Sequence, residues 1–382
     1  MYDVIAYGEM IADAPRMAAY AGAIEARVTP GSAVLDLGTG PGIFALLACR
    51  AGAARVYAVE SEDVIQLARD AAAASGFADR IRFIHGTGAG VRLPERVDGI
   101  IADIRGALPM FRDSLGSVVD ARERFLKPGG WMIAARDVLC AALVASPAVY
   151  ERCVGGWSGH GLDFSSARAK AANSWRRLRI EPSDLAVEPR QWAALDYRTL
   201  GTVDIAGEVE WTVARGGVVH GVCCWFDTET APGHGFSNAP AAGPPDVYGQ
   251  LVFPFPSPTP VAPGDRVRVR LRADHVGGDY TWAWETTVVA AGASSPKAAY
   301  RQSTFFGMPF TPARLRKRAH TFVPRPNEDA RIDGRILELM AEGLTVGDIA
   351  DRIAADFPER FASRIGALTR VADLSERYSQ DR

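Results

Sequence analysis

Val34-Leu35-Asp36-Leu37-Gly38-Thr39-Gly40-Pro41-Gly42-Ile43 decides how this chain is read. An apolar run closes on glycines and passes into Ile43-Phe44-Ala45-Leu46-Leu47-Ala48-Cys49, a helical stretch. That is a buried parallel strand turning into a helix. The texture repeats outward. Arg55 to Glu60 reads as a second strand and Val64 to Ala74 as a helix. Ile81 to His85 and Val97 to Asp103 read as further strands, Asp120 to Phe125 as a helix, and Trp131 to Ala134 as a return to the sheet after the turn Lys127-Pro128-Gly129-Gly130. Strands separated by helices predict a doubly wound parallel sheet.

After about residue 150 the texture changes. Gly201 to Ile205, Glu208 to Ala214, Val218 to Phe226, Val247 to Phe253, Asp265 to Leu271 and Tyr280 to Val289 are β-like runs. Turns rich in Pro and Gly, notably Ala239 to Pro245 and Phe253 to Gly264, separate them and predict a sandwich or barrel. Ser165 to Trp192 reads as helix with a loop, and Ile332 to Tyr378 as amphipathic helices with a helix-turn-helix-like turn at Gly343 to Val346. The expected division is 1–150, an α/β domain; 151–298, a β-barrel; 299–326, a linker; and 327–382, a small helical module.

Composition narrows the chemistry. The 382 residues are 48% hydrophobic, and 43 Lys plus Arg face 45 Asp plus Glu, a formal net charge of −2. That balance argues against a dedicated nucleic-acid binder. No charge-free run of about 18 apolar residues suggests a membrane span, and the first residues lack a secretory layout. A cytoplasmic protein is the expectation. Cys49, Cys140, Cys153, Cys223 and Cys224 form no CxxC pair, and no zinc or other metal site is expected.

The glycine turn points to a cofactor. Gly38, Gly40 and Gly42 fall at alternate positions, unlike the G-x-G-x-x-G of dinucleotide binders, and Asp36 precedes them. This spacing suits S-adenosylmethionine, which has no pyrophosphate to cradle. Glu60 ends the next strand, where an acid can accept both ribose hydroxyls.

Over roughly residues 5–290 the sequence resembles the protein arginine N-methyltransferases, a class I S-adenosylmethionine-dependent family. The likeness rests on Gly8 to Arg16, similar to an E-M-L-x-D-x-x-R helix. It extends through Val34 to Ile43 with Ala51-Gly52-Ala53 and Tyr57 to Glu60, and to Trp225-Phe226-Asp227 and Gly235-Phe236-Ser237 in the barrel. The resemblance implies a methyltransferase with Tyr7, Met10, Arg16, Asp36, Gly38, Gly40, Glu60, Thr87 and Gly88 toward the cofactor, Arg16 meeting its carboxylate. It also implies a homodimer joined through an arm near 165–195.

The substrate loop departs from the family. Two glutamates that clamp a guanidinium correspond here to Asp103, one methylene shorter, and to Arg112, with Asp113 beside it. Asp103 and Asp113 are the expected catalytic residues. The family's T-H-W loop corresponds to Asp246-Val247-Tyr248, its acid near the adenine to Ala89, and its cofactor-side His to Tyr7. Two acceptor classes stay open. One is a guanidino or related nitrogen of a peptide, protein or small molecule. The other is a different N- or O-acceptor, whose carboxylate Arg105 or Arg112 could bind. A binding or regulatory protein that uses the C-terminal module, as a peptide-recognition unit for example, is the alternative from another class.

Overall fold

The computed structural model describes residues 3–87, 90–157, 160–243 and 247–379. Near the start stand α1 (Val4–Ala12) and α2 (Ala14–Arg27). Then β1 (Ala33–Leu37), β2 (Arg55–Glu60), β3 (Ile81–His85), β4 (Val97–Ala102) and β5 (Leu126–Ile133) form a parallel sheet in the order β3-β2-β1-β4-β5. They are connected by α3 (Ile43–Arg50), α4 (Ile65–Ala74) and α5 (Ser114–Phe125). All five residues of β1 are buried, as a strand covered on both faces requires. Tyr20 and Ile24 of α2 pack with Phe44 and Val34 in one core, while Leu35 and Ile100 join Leu115 and Val118 of α5 in another. Strand order reverses between β1 and β4, which opens a crevice beyond their carboxyl ends.

The next strand, β6 (Arg136–Val144), leaves this sheet. It pairs antiparallel with β8 (Arg190–Asp196) and β10 (Gly217–Ala231) in a sheet ordered β7-β12-β10-β6-β8, where β7 is Arg176–Leu178 and β12 is Gln250–Val261. β11 (His234–Ser237) folds back on β10. β9 (Ile205–Thr212), β13 (Arg266–Val276), β14 (Asp279–Val289) and β15 (Pro296–Ser303) make the third sheet, and Phe253 of β12 meets Trp282 and Trp284 of β14 at 5.1 Å between ring centroids. The barrel-like body is thus two antiparallel sheets closed on an aromatic core. Between β6 and β8 lie α6 (Pro147–Val154) and α7 (Ser165–Ala172); α8 (Thr304–Gly307) follows β15.

Several expectations are corrected. The change of sheet falls between Ile133 and Arg136, not at 150, because Leu139, Ala141 and Leu143 face the barrel core. Residues 299–303 are strand rather than linker. Trp192 is in β8 and buried, so helix stops at Ala172. Phe253 to Gly264 is no turn, since β12 runs to Val261 through Pro254, Pro256, Pro258 and Pro260. Alternation places the missing N–H groups on one side of the strand. Past Val252 β12 pairs only with β10 among the described residues, so those groups can face the free edge.

Residues 310–382 form a separate compact unit. α9 (Pro312–Lys317) precedes α10 (Glu328–Ala341), α11 (Val346–Asp356) and α12 (Arg364–Tyr378). Ile332, Ile336 and Leu339 pack with Ile349, Ile353 and Val371 into a core of their own. Gly343, at φ +78°, makes the turn, and the Thr345 hydroxyl caps α11 by accepting from the Asp348 amide. Arg335, Arg352, Arg360, Arg364 and Arg370 are each in ion pairs within the unit, so its helices present no unpaired run of these cations.

Candidate active site

Thr39 to Pro41, Glu60 and Thr87 on one side, and Asp103 to Gly106 with Val247 and Tyr248 on the other, bound a cleft of about 520 Å³. This is the size of a small-molecule site. The local sequence explains the first wall. Gly38 and Gly40 take φ +73° and +52°, in the left-handed region that a Cβ disfavours. A Cβ on Gly38 would stand 2.2 Å from Ile104, and one on Gly40 3.0 Å from the Tyr7 ring. The bare turn therefore lets Tyr7 and Ile104 close over it.

Glu60 finishes β2 with its carboxylate fixed by backbone donors. Gly40 donates to Oε2 at 2.9 Å, and Ser61 and Glu62 donate to Oε1 at 2.8 and 3.1 Å. The Ser61 hydroxyl is a longer fourth donor, 3.4 Å from Oε1, and a ribose hydroxyl would take its place.

Asp36 lies elsewhere than expected. It is buried behind the turn rather than in the cleft wall, and accepts from the Thr39 hydroxyl at 2.5 Å. Its work is to hold the turn. Burial pushes its carboxyl up to about 7, against hydrogen bonds from Thr39 and the Ala45 amide that favour the charge. With an unfolded value of 3.8, the folded state keeps a proton that the unfolded state has released. Stability contributed by Asp36 is then greatest below about pH 4 and is lost as pH rises to 7. Asp36→Asn should remove this component. In urea titrations from pH 4.5 to 7.5, the stability of the variant relative to wild type should rise with pH; a constant difference would contradict a protonated Asp36.

On the opposite wall, α2 delivers Arg16. Asp13 caps the helix through a bond from the Arg16 amide at 3.2 Å, with Pro15 in the first turn. The Arg16 guanidinium meets Asp103 Oδ2 at 2.5 Å through Nη2 and 2.6 Å through Nε, and its Nη1 donates to the Met10 carbonyl at 2.8 Å. Tyr248 donates to Asp103 at 2.8 Å, and Arg105 Nε stands 3.1 Å from Asp103 Oδ1. Arg105 continues inward to Asp137 at 2.8 Å, where the Tyr197 and Thr228 hydroxyls also donate, at 2.5 and 2.6 Å.

Two arginines and two aspartates thus alternate through a buried cluster. Burial alone would raise the Asp103 carboxyl, yet Arg16 and Arg105 hold it below the usual carboxylate range. Burial, with Asp103 adding, pushes the Tyr248 phenol far above its usual value, so it stays a donor. Arg105 is therefore not available to a substrate carboxylate, contrary to one expectation: its side chain is 4% exposed and spent on two aspartates.

The structure brings Tyr7, Met10, Arg16, Gly38, Gly40, Glu60, Thr87, Asp103 and Asp113 to one cleft. Gly88, Ala89 and Asp246 fall outside the described residues. Asp113 is at the rim, 64% exposed, with Oδ1 3.3 Å from His275 Nε2. Arg112 lines the same cleft. Asp137 and Tyr197 were not anticipated. A lone Asp beside the apolar run Val138 to Val144 is the available signal, since a buried charge implies a partner. Among the described residues no group of three or more His, Cys, Asp or Glu could hold a metal, and no helix is long and apolar enough to cross a membrane.

The cleft has what S-adenosylmethionine would need: a glycine turn that a Cβ would fill, a fixed acid at the end of β2, and a guanidinium within the wall.

Comparison with known proteins agrees. Residues 34–130 match the family model described as a methyltransferase domain. The chain is 31% identical over 246 residues to protein arginine N-methyltransferase 6 of Xenopus laevis, covering 60% of this chain and 72% of that protein. It is 30% identical over 231 residues to a probable protein arginine N-methyltransferase 6 of Arabidopsis thaliana, covering 58% of this chain and 53% of that one, so the match spans about half of that relative's length. In fold it is similar to Trypanosoma brucei PRMT1 in an enzyme–prozyme heterotetrameric complex with AdoHcy, with a TM-score of 0.71, 23% identity, and coverage of 78% of this chain and 96% of that one. Arabidopsis thaliana protein arginine methyltransferase 10 gives a TM-score of 0.68 at 23% identity, covering 79% and 97%.

Proposed function

This chain belongs to the protein arginine N-methyltransferase family and is an S-adenosylmethionine-dependent methyltransferase, and we propose that it methylates a nitrogen of a peptide, protein or small molecule that enters from the barrel side of the cleft. One observation carries the reading: the glycine turn with Glu60 and the barrel residues Val247 and Tyr248 line a single continuous cleft, with Asp103 between them.

S-adenosylmethionine, when bound, supplies an electrophilic methyl group on a sulfonium. Glu60 would accept from the ribose hydroxyls, Gly38 and Gly40 would admit the nucleoside, and Arg16 would meet the carboxylate. Asp103 holds Arg16 in the cleft wall, where it would meet that carboxylate. Tyr248 and Arg105 keep Asp103 charged and oriented, and the body of the protein excludes water around it. Methyl transfer asks chiefly for a near-attack geometry, which rigid positioning of this kind supplies.

A second reading, transfer to an acceptor other than a guanidinium, is favoured by the state of Asp103. Its oxygens already meet Arg16, Arg105 and Tyr248, which leaves little attraction for a third guanidinium. The test offers guanidino compounds, arginine-containing peptides and other amines with isotopically labelled S-adenosylmethionine, followed by mass spectrometry. A labelled N-methyl product, lost in Gly38→Val, is the expected result. Adenosylhomocysteine binding without product from any acceptor would favour the binding-protein alternative.

The homodimer is likewise a proposal. Trp157, Leu162 and Phe164 beside α6 and α7 are 47%, 65% and 41% exposed, an apolar tip on the connection between β6 and β8. Exposed clusters of this kind mark contact surfaces. Trp157→Ser with Leu162→Ser should shift sedimentation from dimer toward monomer; an unchanged coefficient would place any dimer contact elsewhere.

A further inference from the structure

We propose that the acceptor carries an anionic group, a carboxylate or a phosphate, read by Arg112 and Arg177; this rests on the cleft receiving a methyl acceptor. The charges that line the cleft divide by partner. Arg16, Asp103 and Arg105, with Asp137 behind them, balance one another inside the protein. Glu60 and Glu62 belong to the wall at the glycine turn. What remains is Arg112, Asp113 and Arg177.

Asp113 is near His275. Neither Arg112 nor Arg177 is in an ion pair among the described residues. Arg112 lines the cleft next to Phe111 and Asp113. Its backbone is left-handed at φ +48°, an uncommon state for a side-chain-bearing residue. Its amide donates to Asp279 Oδ1 at 3.3 Å, and its guanidinium lies 5.2 Å from the centre of the Phe111 ring, itself in the cleft wall. A costly backbone held in place at a cleft is a reason to look for a role.

Arg177 comes from the barrel side, on β7, where it pairs with Leu251 of β12. Gly249, at φ +60°, lies next to its stem, with the place of a Cβ 3.4 Å from Arg177 Cγ. Two exposed guanidiniums on this cleft offer paired N–H donors that fit a planar or tetrahedral anion. A methyl-accepting group and an anionic handle on the same molecule would then be read by different parts of the cleft.

The test uses the full-length protein, with and without saturating adenosylhomocysteine, at low ionic strength, where such contacts are least screened. Three probes are titrated by calorimetry: benzoylglycine, its uncharged amide, and phenyl phosphate. At least one anionic probe should bind about tenfold or more tightly than the amide, as charge-assisted bonds to two arginines imply. Which anion does so decides between carboxylate and phosphate. The preference should vanish in Arg112→Gln/Arg177→Gln and grow in Asp113→Asn. Equal binding of amide and anions, no binding of either anion, or a preference that survives the double variant would overturn the proposal. Failure to bind adenosylhomocysteine, with the anion preference intact, would instead strike at the methyltransferase reading.

Discussion

Asp137→Ala is expected to lower the unfolding free energy by about 3–5 kcal/mol, the cost of leaving a buried cation short of its partner. Asp137 is fully buried in β6, the first strand beyond the parallel sheet, and Arg105 reaches it from the loop that follows β4. Tyr197 of the β8 end and Thr228 of β10 donate to the same carboxylate. Removing it leaves Arg105 with Asp103 as its one remaining carboxylate and takes the acceptor from the buried Tyr197 and Thr228 hydroxyls. Replacing both charges by apolar residues, as in Arg105→Met with Asp137→Leu, should recover part of the loss, since that guanidinium no longer lacks a partner, while the Tyr197 and Thr228 hydroxyls still lack their acceptor. Urea unfolding of the three proteins checks this. A loss under about 1 kcal/mol for Asp137→Ala would mean the pair behaves as an exposed one.

The second large effect concerns the cofactor. Gly38→Val places a branched side chain at φ +73°, with its Cβ 2.2 Å from the Ile104 side chain. Either the turn changes shape or Ile104 is driven out of its place over the cleft. The affinity for adenosylhomocysteine should fall at least about a hundredfold, since the loss combines backbone strain of about 1–3 kcal/mol with displaced contacts. Calorimetric titration of variant and wild type measures it. An affinity within a few-fold of wild type would show that the nucleoside does not lie along this turn.

These two sites differ in how much of them a reader of the sequence can see. The glycine turn and Glu60 are local: alternate glycines after an apolar strand, and an acid at the end of the next, announce themselves within a short stretch. The parallel sheet is legible for the same reason, because β1, β2 and β4 each read as apolar runs bounded by turns. The Arg105–Asp137 pair joins residues 32 apart, and Thr228 joins from 91 positions beyond Asp137. No periodicity links them; the pairing of β6 with β10 sets Thr228 opposite Asp137, and Arg105 reaches both from the loop after β4.

Asp36 shows the opposite error. Its place before the glycines suggests a ligand-facing acid, but in a buried strand alternate side chains face opposite sides, and its carboxylate turns back to Thr39. The prolines of β12 mislead similarly. Single residues that break strands in isolation are tolerated together when their spacing of two keeps every missing donor on one edge. The acceptor wall was the least legible part, because Asp103 reads as a free acid until Arg16 and Arg105 are seen on it.

Crystals soaked with adenosylhomocysteine test the central claim most directly. The account predicts density for the nucleoside between Gly38–Gly40 and Glu60, its ribose hydroxyls on the Glu60 carboxylate and its carboxylate toward Arg16. Density elsewhere, or a cleft still closed by Tyr7 and Ile104 at saturating ligand, would contradict it.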